Sequence, residues 1–299
     1  MDLRSHTVAA PDGTELNLWE QPADAEEAVL FVHGSITCAR ALFAPPVDGD
    51  DSYSWLAATA AAGRAAFAVD VRGYGDSERP PEMDDPPEAN DPPVRADLAA
   101  DDVGAALAAV RERFDVVHLV GVSWGTCVCG RLVEREAPPV ASLTQVAPVY
   151  DVPYDAREGI EALGIDPDLD AYYHQDYDTV RERQGEGGPL FEAIWDAQVD
   201  SNQGEGDGYI AQTGALADYV DCSEGEPPYD AGSLALPTLV LRGSADAISV
   251  RADATALYDA LPGEAEYAEL SGADHYVMHG ERRADCYDAV AAFQDRATR

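Results

Sequence analysis

The stretch Val116-Val117-His118-Leu119-Val120-Gly121-Val122-Ser123-Trp124-Gly125 decides the fold. Val116 to Val122 is a nearly continuous apolar run rich in β-branched side chains. It enters a glycine-flanked turn, and Thr126 to Glu136 then reads as a helix that halts before Pro138-Pro139. A run without polar alternation fits a strand buried on both faces, as in a parallel sheet. Similar runs surround it. Ala28 to Val32 leads into His33-Gly34-Ser35, and Ala65 to Val69 into Asp70-Val71-Arg72-Gly73-Tyr74-Gly75. Ser142 to Ala147 precedes Pro148, and Thr238 to Leu241 precedes Arg242-Gly243-Ser244. His6 to Ala9 and Thr14 to Trp19, split by Pro11-Asp12-Gly13, read as an opening antiparallel hairpin. Helical patterns lie between the runs, at 54–62, 94–114, 250–261 and 284–293. Alternating strands and helices predict a doubly wound α/β architecture. Arg79 to Pro93, dense in proline and acid, reads as an exposed loop. Tyr150 to Gly232 lacks sheet-like runs and reads as a mostly helical lid. The division is therefore a core of 1–149 and 233–299, with a cap at 150–232.

The 299 residues carry 57 acids against 19 basic side chains, a formal net charge of -38. Every basic residue is arginine; there is no lysine. That excludes a Walker-type phosphate lysine, a Schiff-base lysine and a Ser–Lys dyad. So acidic a chain is not expected to bind nucleic acid or an anionic membrane surface. The acids are spread along a chain that is 46% hydrophobic, which argues against disorder. The reading is adaptation to high salt, where carboxylates stay hydrated and their repulsion is screened. No apolar h-region follows Met1, and no run is long enough to span a membrane. Cys38, Cys127, Cys129, Cys222 and Cys286 are odd in number and lack C-x-x-C spacing. They read as free thiols in a reducing cytoplasm, with Cys127 and Cys129 as small packing residues on a helix and no metal site.

Gly121-Val122-Ser123-Trp124-Gly125 matches G-x-S-x-G. Alone the match is weak, but a strand precedes it and a helix follows, the context that lifts a serine out of a sharp turn. Gly121 and Gly125 leave room that neighbouring Cβ atoms would fill. A serine nucleophile needs a base, and the base an orienting carboxylate. Among the six histidines, His275 in Gly272-Ala273-Asp274-His275 follows a strand-like run, Glu266 to Leu270, and precedes the last helix. His33 reads as structural and His118 as a core residue, while His6, His174 and His279 lack a supporting motif. Asp246, just past a strand end, is the expected acid. Asp151 is the alternative, and Asp274 a weaker one. For the oxyanion, the backbone N–H groups of Trp124 and Ser35 are the expected donors, with Ile36 if the turn is one residue longer.

His33-Gly34, Asp70-x-Arg72-Gly73-x-Gly75-x-Ser77, the turn at Ser123, and Gly243-Ser244-Ala245-Asp246 with Asp274-His275 together resemble the α/β-hydrolase superfamily. The resemblance implies an eight-stranded, mostly parallel sheet with a helical cap, a Ser–Asp–His triad and no cofactor. Ser123 at the elbow excludes the haloalkane dehalogenase and epoxide hydrolase branches, which place aspartate there. Ser-Trp-Gly and the Asp-x-Arg-Gly segment also resemble prolyl aminopeptidases, but His33-Gly34-Ser35-Ile36-Thr37 departs from their His-Gly-Gly-Pro-Gly. In the cap, Glu158, Glu161 and Glu192 are acids that can meet a substrate amine; as solvated surface they need no such role. The expected function is a serine hydrolase acting on a small ester or related acyl bond. A prolyl-type aminopeptidase and a non-catalytic ligand-binding protein are the alternatives. Substrate identity and oligomeric state stay open. If high salt screens the acid surplus, the melting temperature rises from tens of millimolar to molar KCl, where the Debye length falls to about 3 Å. A melting temperature that falls over that range contradicts the salt reading.

Overall fold

The computed structural model describes residues 2–184 and 187–299. Met1, and Gly185 and Glu186 within the expected cap, lie outside the described residues. The chain opens with β1 (Arg4–Ala9), β2 (Glu15–Gln21) and β3 (Glu27–Val32), then α1 (Ala39–Phe43), α2 (Trp55–Ala61) and β4 (Ala65–Val69). It continues through α3 (Ala96–Arg111), β5 (Val116–Val122), α4 (Trp124–Glu136) and β6 (Ser142–Val146). The inserted stretch holds α5 (Ala156–Ala162), β7 (Tyr172–Gln175), α6 (Tyr177–Gln184), α7 (Pro189–Val199), β8 (Gly204–Glu205), β9 (Gly208–Gln212) and α8 (Gly214–Ser223). The end of the chain supplies β10 (Thr238–Gly243), α9 (Arg251–Ala260), β11 (Ala265–Leu270) and α10 (Arg283–Ala297).

Eight strands form one sheet in the order β1-β2-β4-β3-β5-β6-β10-β11. β1 pairs antiparallel with β2, and β2 with β4; the remaining neighbours are parallel. The unbroken apolar runs follow from this. Val117 and Leu119 of β5 face one core cluster, while Val120 and Val122 face the other. β3 divides in the same way, with Leu30 and Val32 on one side and Val29 and Phe31 on the other. Both faces of the central strands are dry, so neither face of these strands calls for polar residues. His118 is fully buried in β5, with Nδ1 2.8 Å from Ser142 Oγ, and burial pushes its imidazole down to about 4. It is a packing residue, as its place in the run suggests.

Two parts differ from the sequence reading. The insertion is not free of sheet: β7, β9 and β8 form a three-stranded antiparallel sheet. These strands have only two to five residues and include glycines, so no strand period is visible in the sequence. The proline-rich 79–93 segment is not uniformly exposed. Met83 is buried, within reach of the space above Gly73. Among the described residues, no helix is long and apolar enough to cross a membrane.

The insertion departs from the core beside a buried acid. Asp253, in the first turn of α9, accepts the backbone N–H of Tyr150 at 3.0 Å and of Asp151 at 2.8 Å on Oδ1. Its Oδ2 is buried without a partner among the described residues, and burial pushes the carboxyl up to about 7. The folded state therefore favours the protonated acid. The stabilisation is complete below the ordinary carboxylate range and is lost as pH rises through about 7. Asp253→Asn removes this titration. Its melting temperature relative to the parent should climb between about pH 4 and about pH 7 and level off above that. A difference independent of pH contradicts the assignment.

Candidate active site

Ser123 occupies the turn between β5 and α4 with φ 53° and ψ −121°. Left-handed backbone is strained for a residue with a Cβ, and such strain costs about 1–3 kcal/mol. The surroundings enforce it. A Cβ on Gly121 would fall on the Gly125 carbonyl, and a Cβ on Gly125 on the Val32 carbonyl. The Ser123 N–H donates to Val146 O at 2.9 Å, and its carbonyl accepts from the Thr126 N–H at 2.8 Å. Three neighbouring strands thus meet around one turn.

His275, in the loop after β11, reaches both of its expected neighbours. Its Nδ1 lies 2.9 Å from Asp246 Oδ2 and its Nε2 3.1 Å from Ser123 Oγ. A carboxylate accepts, so Nδ1 carries the proton and Nε2 is left to accept from the serine hydroxyl. Asp246 Oδ1 also accepts the backbone N–H of Ile248 at 2.8 Å and of Ser249 at 2.9 Å. The fully buried carboxylate is therefore fixed from both oxygens. Asp151 is not brought to the imidazole; it is exposed, with its backbone N–H on Asp253. Asp274 accepts the Tyr276 N–H at 3.0 Å. The other histidines are engaged elsewhere: His6 with Glu20, His174 with the Glu205 carbonyl and His279 with the Leu42 carbonyl.

Ser35 and Ile36 follow β3 and line the same cavity as Ser123 and Trp124. A Cβ on Gly34 would lie 3.0 Å from Ser123 Cβ, so glycine lets this loop approach the serine without displacing it. The backbone N–H groups of Ser35 and Trp124 have no hydrogen-bond partner among the described residues. His33 pins the loop from below. Its Nε2 accepts the Val71 N–H at 3.1 Å, so Nδ1 carries the proton and donates to Gly34 O at 2.8 Å. Burial pushes His33 down to about 4, which keeps it neutral.

The Asp70-x-Arg72-Gly73-x-Gly75-x-Ser77 segment is scaffolding. Asp70 is fully buried and accepts from Asn17 Nδ2 at 2.9 Å, Trp19 Nε1 at 3.0 Å, Ala39 N at 2.7 Å and Asp76 N at 3.2 Å. Burial pushes its carboxyl up to about 6, and these donors oppose the rise. Through Ala39 it ties the Gly34–Cys38 loop to β2 and β4. Arg72 grips the buried Asp102 and reaches Asp12 at 2.6 Å. One link has no sequence signature. Asp218 of α8 accepts Trp124 Nε1 at 2.7 Å, Arg95 Nε at 2.6 Å and Ala96 N at 2.7 Å. Among the acids of this chain nothing marked it, yet it fastens the residue after Ser123 to the insertion. All five cysteines are free and buried, and burial pushes the Cys38, Cys129 and Cys286 thiols well up.

Above Ser123 lies a cavity of about 610 Å³. Its lining is mainly apolar, and nearly half of it comes from the insertion, including Ile160, Leu163, Val180, Phe191 and Trp195. Glu158, Glu161 and Glu192 are exposed and do not line it. Among the described residues, no carboxylate of the insertion lines this cavity.

An eight-stranded, mostly parallel sheet with a serine on a strand-to-helix turn at its rim defines the class, an α/β-hydrolase. The family model for the alpha/beta hydrolase fold matches residues 27–186, more than half of the chain, and the chain belongs to that family. No curated protein sequence matches it. Solved structures with the same fold include an esterase from Exiguobacterium antarcticum (TM-score 0.69, 15% identity, 98% of this chain and 100% of that one). E-2-(acetamidomethylene)succinate hydrolase is similar at TM-score 0.69 and 20% identity, over 98% of this chain and 99% of that one. A meta-cleavage product hydrolase from Pseudomonas fluorescens IP01 follows at TM-score 0.66 and 16% identity, over 98% of each chain.

The two candidate acids separate by mutation. Asp246→Asn sets an amide against His275 Nδ1–H and disturbs the tautomer, so turnover should fall by about 10³- to 10⁴-fold. Asp151→Asn should leave turnover within about twofold, since surface changes away from a site are nearly neutral. The reverse ranking in steady-state kinetics contradicts the geometry's meaning.

Proposed function

We propose that this α/β-hydrolase cleaves a small ester or a related acyl bond through an acyl-enzyme on Ser123. The observation that carries the reading is the continuous Ser123–His275–Asp246 relay, at 3.1 Å and 2.9 Å, on the floor of an apolar cavity. Ser123 Oγ attacks the acyl carbon while His275 Nε2 takes its proton. Asp246 holds the ring and stabilises the imidazolium. The amides of Ser35 and Trp124 receive the negative charge that develops on the carbonyl oxygen. Collapse of the tetrahedral intermediate expels the alcohol, which takes the proton from His275. Water, deprotonated by His275, then attacks the acyl-serine and releases the acid. Each step uses the chain's own groups and water, with a small molecule as the partner.

The same reading places the protein in a reducing, salt-rich cytoplasm. Support comes from five buried free thiols and a net charge of -38. Assays therefore belong in molar KCl. Ser123→Ala should lower kcat on 4-nitrophenyl acetate by at least about 10³-fold, as removal of a serine nucleophile does elsewhere. Near-parental turnover in the folded variant removes the nucleophile assignment and favours a binding protein on this scaffold.

A further inference from the structure

We propose that Arg183 recognises a carboxylate on the substrate, so that the acyl compound opened at Ser123 is itself an acid. The inference rests on the serine-hydrolase reading and narrows its substrate class. Arg183 lies in α6, and among the described residues it is the one arginine that lines the cavity shared by Ser123 and His275. Its guanidinium is half-buried and held by two neutral acceptors. Nη1 donates to the Leu163 carbonyl at 2.9 Å and Nη2 to Gln175 Oε1 at 2.9 Å.

The chain has 57 acids for 19 basic side chains, and most of its arginines carry a carboxylate, as Arg64, Arg72, Arg95 and Arg242 do. Arg183 has none among the described residues. Arg40, Arg111, Arg181, Arg283 and Arg299 also have no carboxylate partner among the described residues, and what sets Arg183 apart from them is its place at the cavity wall. In so acidic a protein, leaving a cation uncompensated at the wall of a cavity is a chemical choice. Neutral acceptors fix the plane of the fork but leave its charge and remaining N–H donors for an anion.

That charge is felt on the inner side of the insertion. It opposes the rise that burial imposes on the phenols of Tyr173 and Tyr209, and Tyr209 also lines the cavity. The Tyr173 hydroxyl is buried without a partner among the described residues. The rest of the cavity's lining is mainly apolar, with Val180, Phe191 and Ile194 among its members. A ligand that suits both regions has a carboxylate at one end, a hydrocarbon spacer and the scissile acyl group at the other. The net charge of -38 repels such an anion at long range. At molar salt the Debye length of about 3 Å removes that repulsion, while a desolvated contact with Arg183 survives.

The test uses two matched ester pairs in molar KCl. Mono-4-nitrophenyl glutarate is set against 4-nitrophenyl hexanoate, and 4-carboxyphenyl acetate against 4-acetylphenyl acetate. The parent should favour the acidic member of at least one pair by roughly 10- to 100-fold in kcat/KM, the range of a hydrogen bond to a charged group. Arg183→Gln should abolish that preference while neutral esters keep their rate, and Arg183→Lys should retain part of it. Absence of preference in both pairs, a preference that survives Arg183→Gln, or an equal loss on acidic and neutral esters overturns the proposal. Turnover of neutral esters that is lost in Ser123→Ala keeps the serine-hydrolase reading intact in each of those cases.

Discussion

At the elbow, the first turn of α4 lies so close to the ends of β3 and β5 that neither Gly121 nor Gly125 has room for a Cβ. The rest of the site depends on that contact. It forces Ser123 into left-handed backbone and carries its hydroxyl to the rim of the sheet. It also brings the loop after β3 beside the serine, where a Cβ on Gly34 would crowd Ser123 Cβ at 3.0 Å. Strain at one residue is tolerable because three strands and a helix over-determine its position. The loops after β10 and β11 then need only deliver one carboxylate and one imidazole to a point already fixed.

A chain with this much acid must still choose which carboxylates to bury. Asp70, Asp102, Asp218 and Asp246 are each surrounded by donors, so desolvation is offset where the charge is kept. Asp70 and Asp218 also perform a connecting task. One joins the loop after β3 to β2 and β4, and the other joins Trp124 to the insertion. Asp253, with an unpartnered oxygen, is the exception, and it sits where the chain leaves the core. The basic side chains follow a complementary rule. Most of them are spent on carboxylates, and of those without one among the described residues Arg183 alone stands at the cavity wall.

The sheet was legible because strands buried on both faces cannot hide. Val116 to Val122 and Ala28 to Val32 lack polar alternation, and the turn residues after them mark the strand ends. The convergence of Ser123, Asp246 and His275 was readable as an expectation because each follows a strand in a loop with its own short motif. The insertion was less legible. β7, β8 and β9 are too short to show a period, and their pairing is set by packing against the core rather than by local pattern. Asp218 and Arg183 had no signal at all. An aspartate among 57 acids is invisible, and the isolation of Arg183 is a property of its neighbours in space.

The central claim is that Ser123 Oγ is activated by His275. Covalent labelling by a fluorophosphonate probe, followed by mass mapping of the modified peptide, tests it most directly. The account predicts a single phosphonyl adduct on Ser123 that forms in molar KCl and is strongly slowed in folded His275→Gln. An adduct elsewhere, or labelling of Ser123 at the same rate without the imidazole, would contradict it.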